Sequence, residues 1–116
     1  MSPANHDRIF GMVSHLPHIT AAALVNSVSP QNIKFAGRGF IDTTRVSSGP
    51  SNVWTDILMT NSETCVEAIE KLVGRLQTLQ EAIAAGDAQA VNKILNQASQ
   101  KRAKLIQYKI DQKELF

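Results

Sequence analysis

Residues 62–87, "SETCVEAIEKLVGRLQTLQEAIAAGD", decide what kind of fold this chain can adopt. Apolar residues stand at Val66, Ile69, Leu72, Val73, Leu76, Leu79 and Ile83. That alternating three-and-four spacing lays one stripe along an α-helix, whereas a strand would need every second residue apolar. The spacing predicts a helix from about Ser62 to Ala85. Gly86 suits its C-terminal stop, and Asp87 suits the cap of the helix that follows.

Reading outward, Val91, Ile94, Leu95, Ala98, Leu105 and Ile106 continue the helical period before a polar tail expected to fray. The last two helices are therefore expected to form an antiparallel pair joined by a tight turn. On the other side, "SSGPSN" reads as a loop, with Pro50 placed to open the helix "SNVWTDILMTN". Residues 29–41, with Pro30, Gly37 and Gly39, read as a loop, and "DTTR" as a short helix capped by Asp42. Residues 6–28 carry helical apolar spacing, interrupted where Pro17 removes a donor and crowds the preceding turn. The kink falls near Leu16 and places His15 and His18 at the bend. The fold class is all-α, about five helices.

Composition narrows the function. At 116 residues the chain is one domain, small for a complete cofactor-using enzyme. A formal charge of +2 does not argue for nucleic acid. The basic tail residues Lys101, Arg102, Lys104, Lys109 and Lys113 are interspersed with Asp111 and Glu114, the pattern of a solvated helix face. Cys65 is the only cysteine, so no internal disulfide forms, and it reads as a small packed residue. No charged leader opens the chain and no apolar stretch reads as membrane-spanning, so the expectation is a soluble, cytoplasmic protein without a membrane partner.

Three stretches bear on chemistry. "GRGFID" contains G-x-G, but Asp42 stands where a dinucleotide fingerprint needs its third glycine, and no strand–helix–strand unit surrounds it. "HLPH" offers two histidines three apart, too few for a tetrahedral metal set without a Cys, Asp or Glu at suitable spacing. No cofactor or metal is therefore expected in this chain. Arg45 is the side chain suited to a planar, bidentate grip on a carboxylate, while its local alternative is an ion pair with Asp42 three residues before it. Trp54, the only tryptophan, reads by default as a core or interface anchor.

Taken in order, "HDRIFGMVSHLPHITAAALVN" (6–26), "AGRGFIDTTRVSSGPSNVWTDILMTN" (36–61) and the "AI…L…L…AI..GD" pattern of 68–87 resemble the C-terminal helical domain of the prephenate dehydrogenase family. The combination of SHLPH, GF-x-D-x-T-R and W-x-D-I in this order is specific, and the resemblance covers essentially the whole chain.

It implies that Arg45 binds a substrate carboxylate and that Asp42 pairs with or gates that arginine. A histidine of HLPH would hold the substrate, His18 being favoured and His15 the alternative. It implies that Trp54 borders the pocket from the partner subunit of an intertwined homodimer. The substrate would be prephenate or arogenate, oxidatively decarboxylated with NAD or NADP in tyrosine biosynthesis.

The cofactor and the catalytic histidine belong, on this resemblance, to an N-terminal nucleotide-binding domain. Residues 1–116 correspond to the C-terminal domain alone, the N-terminal domain being absent, and such a chain is expected to be inactive by itself. Its first residues, "MSPANHDR", fall almost at the family's domain boundary, as in a piece of a longer enzyme or a stand-alone remnant. Ile41 replaces a usual basic residue, Gly11 a common alanine, and "SSGPSNVW" alters the usual order of small residues before the tryptophan. The alternative function is a non-catalytic helical homodimer with a regulatory or scaffolding role.

Overall fold

The computed structural model describes residues 1–114 and is all-helical there. Five helices follow one another. The first is α1 (Pro3–Phe10), a widened π turn (Gly11–His15) and α2 (Leu16–Asn26) in unbroken succession. Then come α3 (Arg38–Thr44), α4 (Ser51–Thr60), α5 (Ser62–Ala84) and α6 (Ala88–Asp111). Single 3-10 turns at Ile33–Phe35 and Arg45–Ser48 punctuate the connections. The chain divides into two compact units, Met1–Leu72 and Val73–Phe116.

In the first unit the expected kink is present, and its form differs from a proline break. Leu16 N–H donates to the carbonyl of Gly11, five residues back instead of four. Pro17 comes next and sits in the first turn of α2, where a missing N–H does no harm. The helix accommodates the proline by widening the turn before it, and so continues.

That continuity corrects one expectation. Pro3–Asn26 is a single segment of 24 residues, long and apolar enough by length and composition to cross a membrane. Within the unit the segment is also a packing element, with Gly11, Leu16, His18 and Ala21 buried along it.

The glycine-rich stretch supplies a second correction. α3 begins at Arg38, inside the region expected to be loop. Gly37, extended at φ −97° and ψ −169°, precedes the helix, and the amide of Ile41 donates to its carbonyl at 3.1 Å. Asp42 is therefore interior to α3 and is not its cap. Thr44 ends the helix buried, its hydroxyl donating to the Phe40 carbonyl at 2.7 Å. Both α3 and the Arg45–Ser48 turn pack on α2. Pro50 stands directly before α4 as expected.

In the second unit the turn between α5 and α6 is built as its residues suggest. Gly86 takes φ +65°, a left-handed conformation that disfavours any residue with a Cβ. Asp87 N–H donates to Ala82 O and Gly86 N–H to Ile83 O, each at 3.0 Å, the paired closure of a Schellman motif. The Asp87 carboxylate then accepts from Ala90 N–H at 3.0 Å and starts α6. The tight turn expected between the two helices is present.

The tail does not fray where expected. α6 runs on to Asp111, supported by a bond of 2.9 Å from Gln107 Nε2 to Asp111 Oδ1 and an ion pair between Lys109 and Glu114. Polar residues four apart on a helix, here Gln107 and Asp111, hold one another in this way. Leu115 and Phe116, the end of that tail, lie outside the described residues.

Candidate functional site

The π turn, the start of α2 and the first turns of α4 and α5 bring the distinctive residues of the first unit together. His18 is buried, at 8% exposure. Its ring lies flat against Trp54, with centroids 3.9 Å apart and planes 11° from parallel. His15, one turn earlier, meets the same indole edge-on at 6.4 Å. Gly49 closes the assembly, since a Cβ there would come within 2.8 Å of Trp54 Nε1 and 3.3 Å of His18 Cε1. Only glycine fits that approach.

The polar atoms of the cluster are unevenly satisfied. His18 Nδ1 is buried with no hydrogen-bond partner among the described residues, an arrangement that stacking alone does not offset. His15 Nδ1 faces Asn61 Nδ2 at 3.2 Å and Cys65 Sγ at 3.9 Å. Burial pushes the Cys65 thiol above its ordinary range, which keeps it protonated. It is a packed residue, as expected, and sits against the histidine. A hollow of about 390 Å³ beside them is lined by Asp7, His15, Asp56, Ile57, Thr60 and Asn61.

Arg45 and Asp42 stand differently. Arg45 begins the 3-10 turn that packs on α2, and it is exposed with no carboxylate within 4 Å among the described residues. Asp42 approaches Arg38, at 3.8 Å, and not Arg45. Both partners of that contact are largely in water, where such a pair contributes little. An exposed arginine free of a local acid can take an external carboxylate bidentately. Among the described residues no group of three or more His, Cys, Asp or Glu is placed to hold a metal ion.

The structure thus joins His15, His18 and Trp54 within one chain. Arg45 lies on the adjoining turn, without direct contact to them. The stack of Trp54 with His18 is internal to the chain. Two residues of the cluster carried no assignment from sequence. Gly49 was read only as loop, and Asn61 only as the end of the α4 pattern.

These features coincide with a known family. The family described as prephenate dehydrogenase, dimerization domain, matches residues 2–97. The chain belongs to that family. It is 32% identical over 95 residues to prephenate dehydrogenase of Bacillus subtilis (strain 168), a match spanning 77% of this chain and 26% of that protein.

Two solved structures are similar in fold. One is prephenate dehydrogenase from A. aeolicus in complex with hydroxyphenyl propionate and NAD+, with a TM-score of 0.84 and 36% identity over 90% of this chain and 39% of that one. The other is Synechocystis arogenate dehydrogenase, with a TM-score of 0.83 and 25% identity over 90% of this chain and 41% of that one. The chain therefore spans about a quarter of the curated relative and about two fifths of the solved ones. The relatives are prephenate and arogenate dehydrogenases by name, one of them solved with NAD+, and the family matched is described as a dimerization domain.

Proposed function

We propose that this chain is the dimerisation and substrate-binding domain of a prephenate or arogenate dehydrogenase acting in the cytoplasm. Arg45 holds a substrate carboxylate, and the face formed by buried His18 with half-buried Trp54 and His15 receives the rest of the molecule. NAD or NADP is bound by a separate N-terminal nucleotide-binding domain and accepts the ring hydride as carbon dioxide leaves. This chain's part is to bind and orient, which contributes to rate by positioning, and by itself it is inactive. Asp42 is the acid nearest in sequence that can compete for Arg45.

One observation carries the reading. The turn bearing Arg45 rests on α2, the helix that presents His18, and the same turn leads into Gly49 against the His18–Trp54 stack. A cation open to solvent thus adjoins an aromatic, imidazole-lined face, the chemistry a small cyclic dicarboxylate requires. The similar A. aeolicus enzyme was solved with an aromatic propionate, which supports that ligand class.

A second copy of the chain supplies the rest of the interface. Val66, Ile69, Val73, Leu76 and Ile83 of α5 and Leu95 and Leu105 of α6 are exposed, more apolar surface than a monomer of this size leaves in water. An exposed Ile41, where the family pattern has a basic residue, favours the second reading, a scaffolding homodimer without substrate contacts.

Titration of prephenate into the chain, followed by Trp54 fluorescence, separates the two. The expected result is a saturable change. Arg45→Ala should weaken it by about 10-fold or more, since hydrogen bonds between charged groups contribute about 1.5–3 kcal/mol. No response in the parent chain would leave the scaffolding reading.

A further inference from the structure

Asn61 joins α4 to α5, directly before the first residue of α5. An asparagine there ordinarily turns its side chain back onto the free N–H groups of the following helix. This one does not. Its Nδ2 donates to the backbone carbonyl of Asp7 at 3.4 Å and faces His15 Nδ1 at 3.2 Å. Its own carbonyl is already taken by Thr64 Oγ1 and Cys65 N–H, each at 3.0 Å, so the residue is held in place by its backbone while its side chain reaches across.

The Asp7 contact decides the orientation of the amide. A backbone carbonyl only accepts, so the Asn61 atom beside it must be the donor Nδ2; turned over, two acceptor oxygens would face each other. The other hydrogen of the same Nδ2 then points at His15. A nitrogen facing a donor must present its lone pair, so His15 Nδ1 carries no proton in the neutral ring. The second neighbour of that nitrogen, the Cys65 thiol, is also a donor.

We infer that Asn61 is a positioning residue that fixes His15 as the Nε2–H tautomer, so that His15 meets its ligand as a hydrogen-bond donor. The inference rests on the reading of His15 as a substrate contact and adds the chemistry of that contact. The ligand group opposite must be an acceptor, a carboxylate, hydroxyl or keto oxygen. Asp7 and Asp56 line the same hollow, and neither is a hydrogen-bond partner of the ring.

The test uses the whole chain with 15N-labelled histidine at about pH 8, above the ordinary titration range of imidazole. Long-range proton–nitrogen spectra report which ring nitrogen carries the proton, and His15→Gln assigns the signal. The parent should show Nε2 protonated and Nδ1 bare. Asn61→Asp, which keeps the shape and replaces the donor by an acceptor, should move the proton to Nδ1. Asn61→Ala should give a mixture of the two forms and decides the matter if the aspartate variant does not fold.

A parent ring protonated at Nδ1, or an Asn61→Ala ring with the parent's single tautomer, would overturn the inference. Prephenate added to the same samples tests the reading beneath it. A parent ring of the stated tautomer that binds no prephenate would remove His15 from a substrate site and leave the role of Asn61 standing.

Discussion

His18 and Trp54 lie face to face, 3.9 Å between ring centroids and 11° between planes, and this pairing joins α2 to α4 without a side-chain hydrogen bond between them among the described residues. An aromatic pair of this kind contributes about 0.5–1.5 kcal/mol beyond the area it buries. Trp54→Ala is expected to lower stability by about 2 kcal/mol, less than a fully enclosed tryptophan because the indole is half-buried. With His18→Ala as the second arm, a urea-unfolding cycle should give a coupling of about 1 kcal/mol. Strict additivity would mean that the rings merely adjoin.

Gly49 tests the same packing from its other side. A methyl group there meets the indole at 2.8 Å, and the indole cannot retreat without leaving His18. Gly49→Ala should cost about 1–3 kcal/mol, the usual penalty of overpacking, with a shift in tryptophan emission. An unchanged midpoint and spectrum would show that the loop moves aside freely.

At the α5–α6 turn the expectation is local and small. Gly86→Ala places a Cβ in a left-handed backbone and should cost about 1–2 kcal/mol, and Asp87→Ala should cost about 1 kcal/mol through the lost cap. Both are read as the loss in thermal unfolding free energy. Gly74→Ala, with no heavy atom within 4 Å of the added carbon, is the control and should stabilise by a few tenths to about 1 kcal/mol.

Cys65 sets a pH dependence. Its thiol is held above the ordinary value by desolvation, so the folded chain keeps a proton that the unfolded chain loses first. Stability from this group is complete below the unfolded cysteine value of about 8.5 and declines as pH rises through the folded value. Unfolding free energy measured from pH 7 to 10 should show that decline, and Cys65→Ala should remove it. A slope that persists in the variant would assign the effect to other groups.

The α5–α6 turn was legible because its signals are local. A glycine, an aspartate and a regular stripe fix the end of one helix and the start of the next within a few residues. α3 was misread for the opposite reason, since a glycine pair marks a loop only when no neighbouring carbonyl completes a helical turn, and Gly37 does complete one. Pro17 correctly signalled an irregularity, but its position two residues beyond a widened turn is a property of the helix and not of the proline alone. The site was half legible. HLPH and the lone tryptophan named its aromatic members, whereas the partners of His15 come from positions 46 and 50 residues away, a distance no spacing rule spans. The same holds for Arg38 taking Asp42: either arginine was available, and only the start of α3 chooses between them.

The π turn at Gly11–His15 amounts to one extra residue spliced into a helix. With about 3.6 residues per turn, closing that stretch into an ordinary helix with every residue kept would rotate everything upstream by about 100° relative to α2. Asp7, whose carbonyl holds the Asn61 amide, would swing out of reach. Deleting one residue of the widened turn would instead restore regular winding and leave Asp7 at nearly the same phase. The first helix thus has a phase as well as an address, and the widened turn is what keeps it.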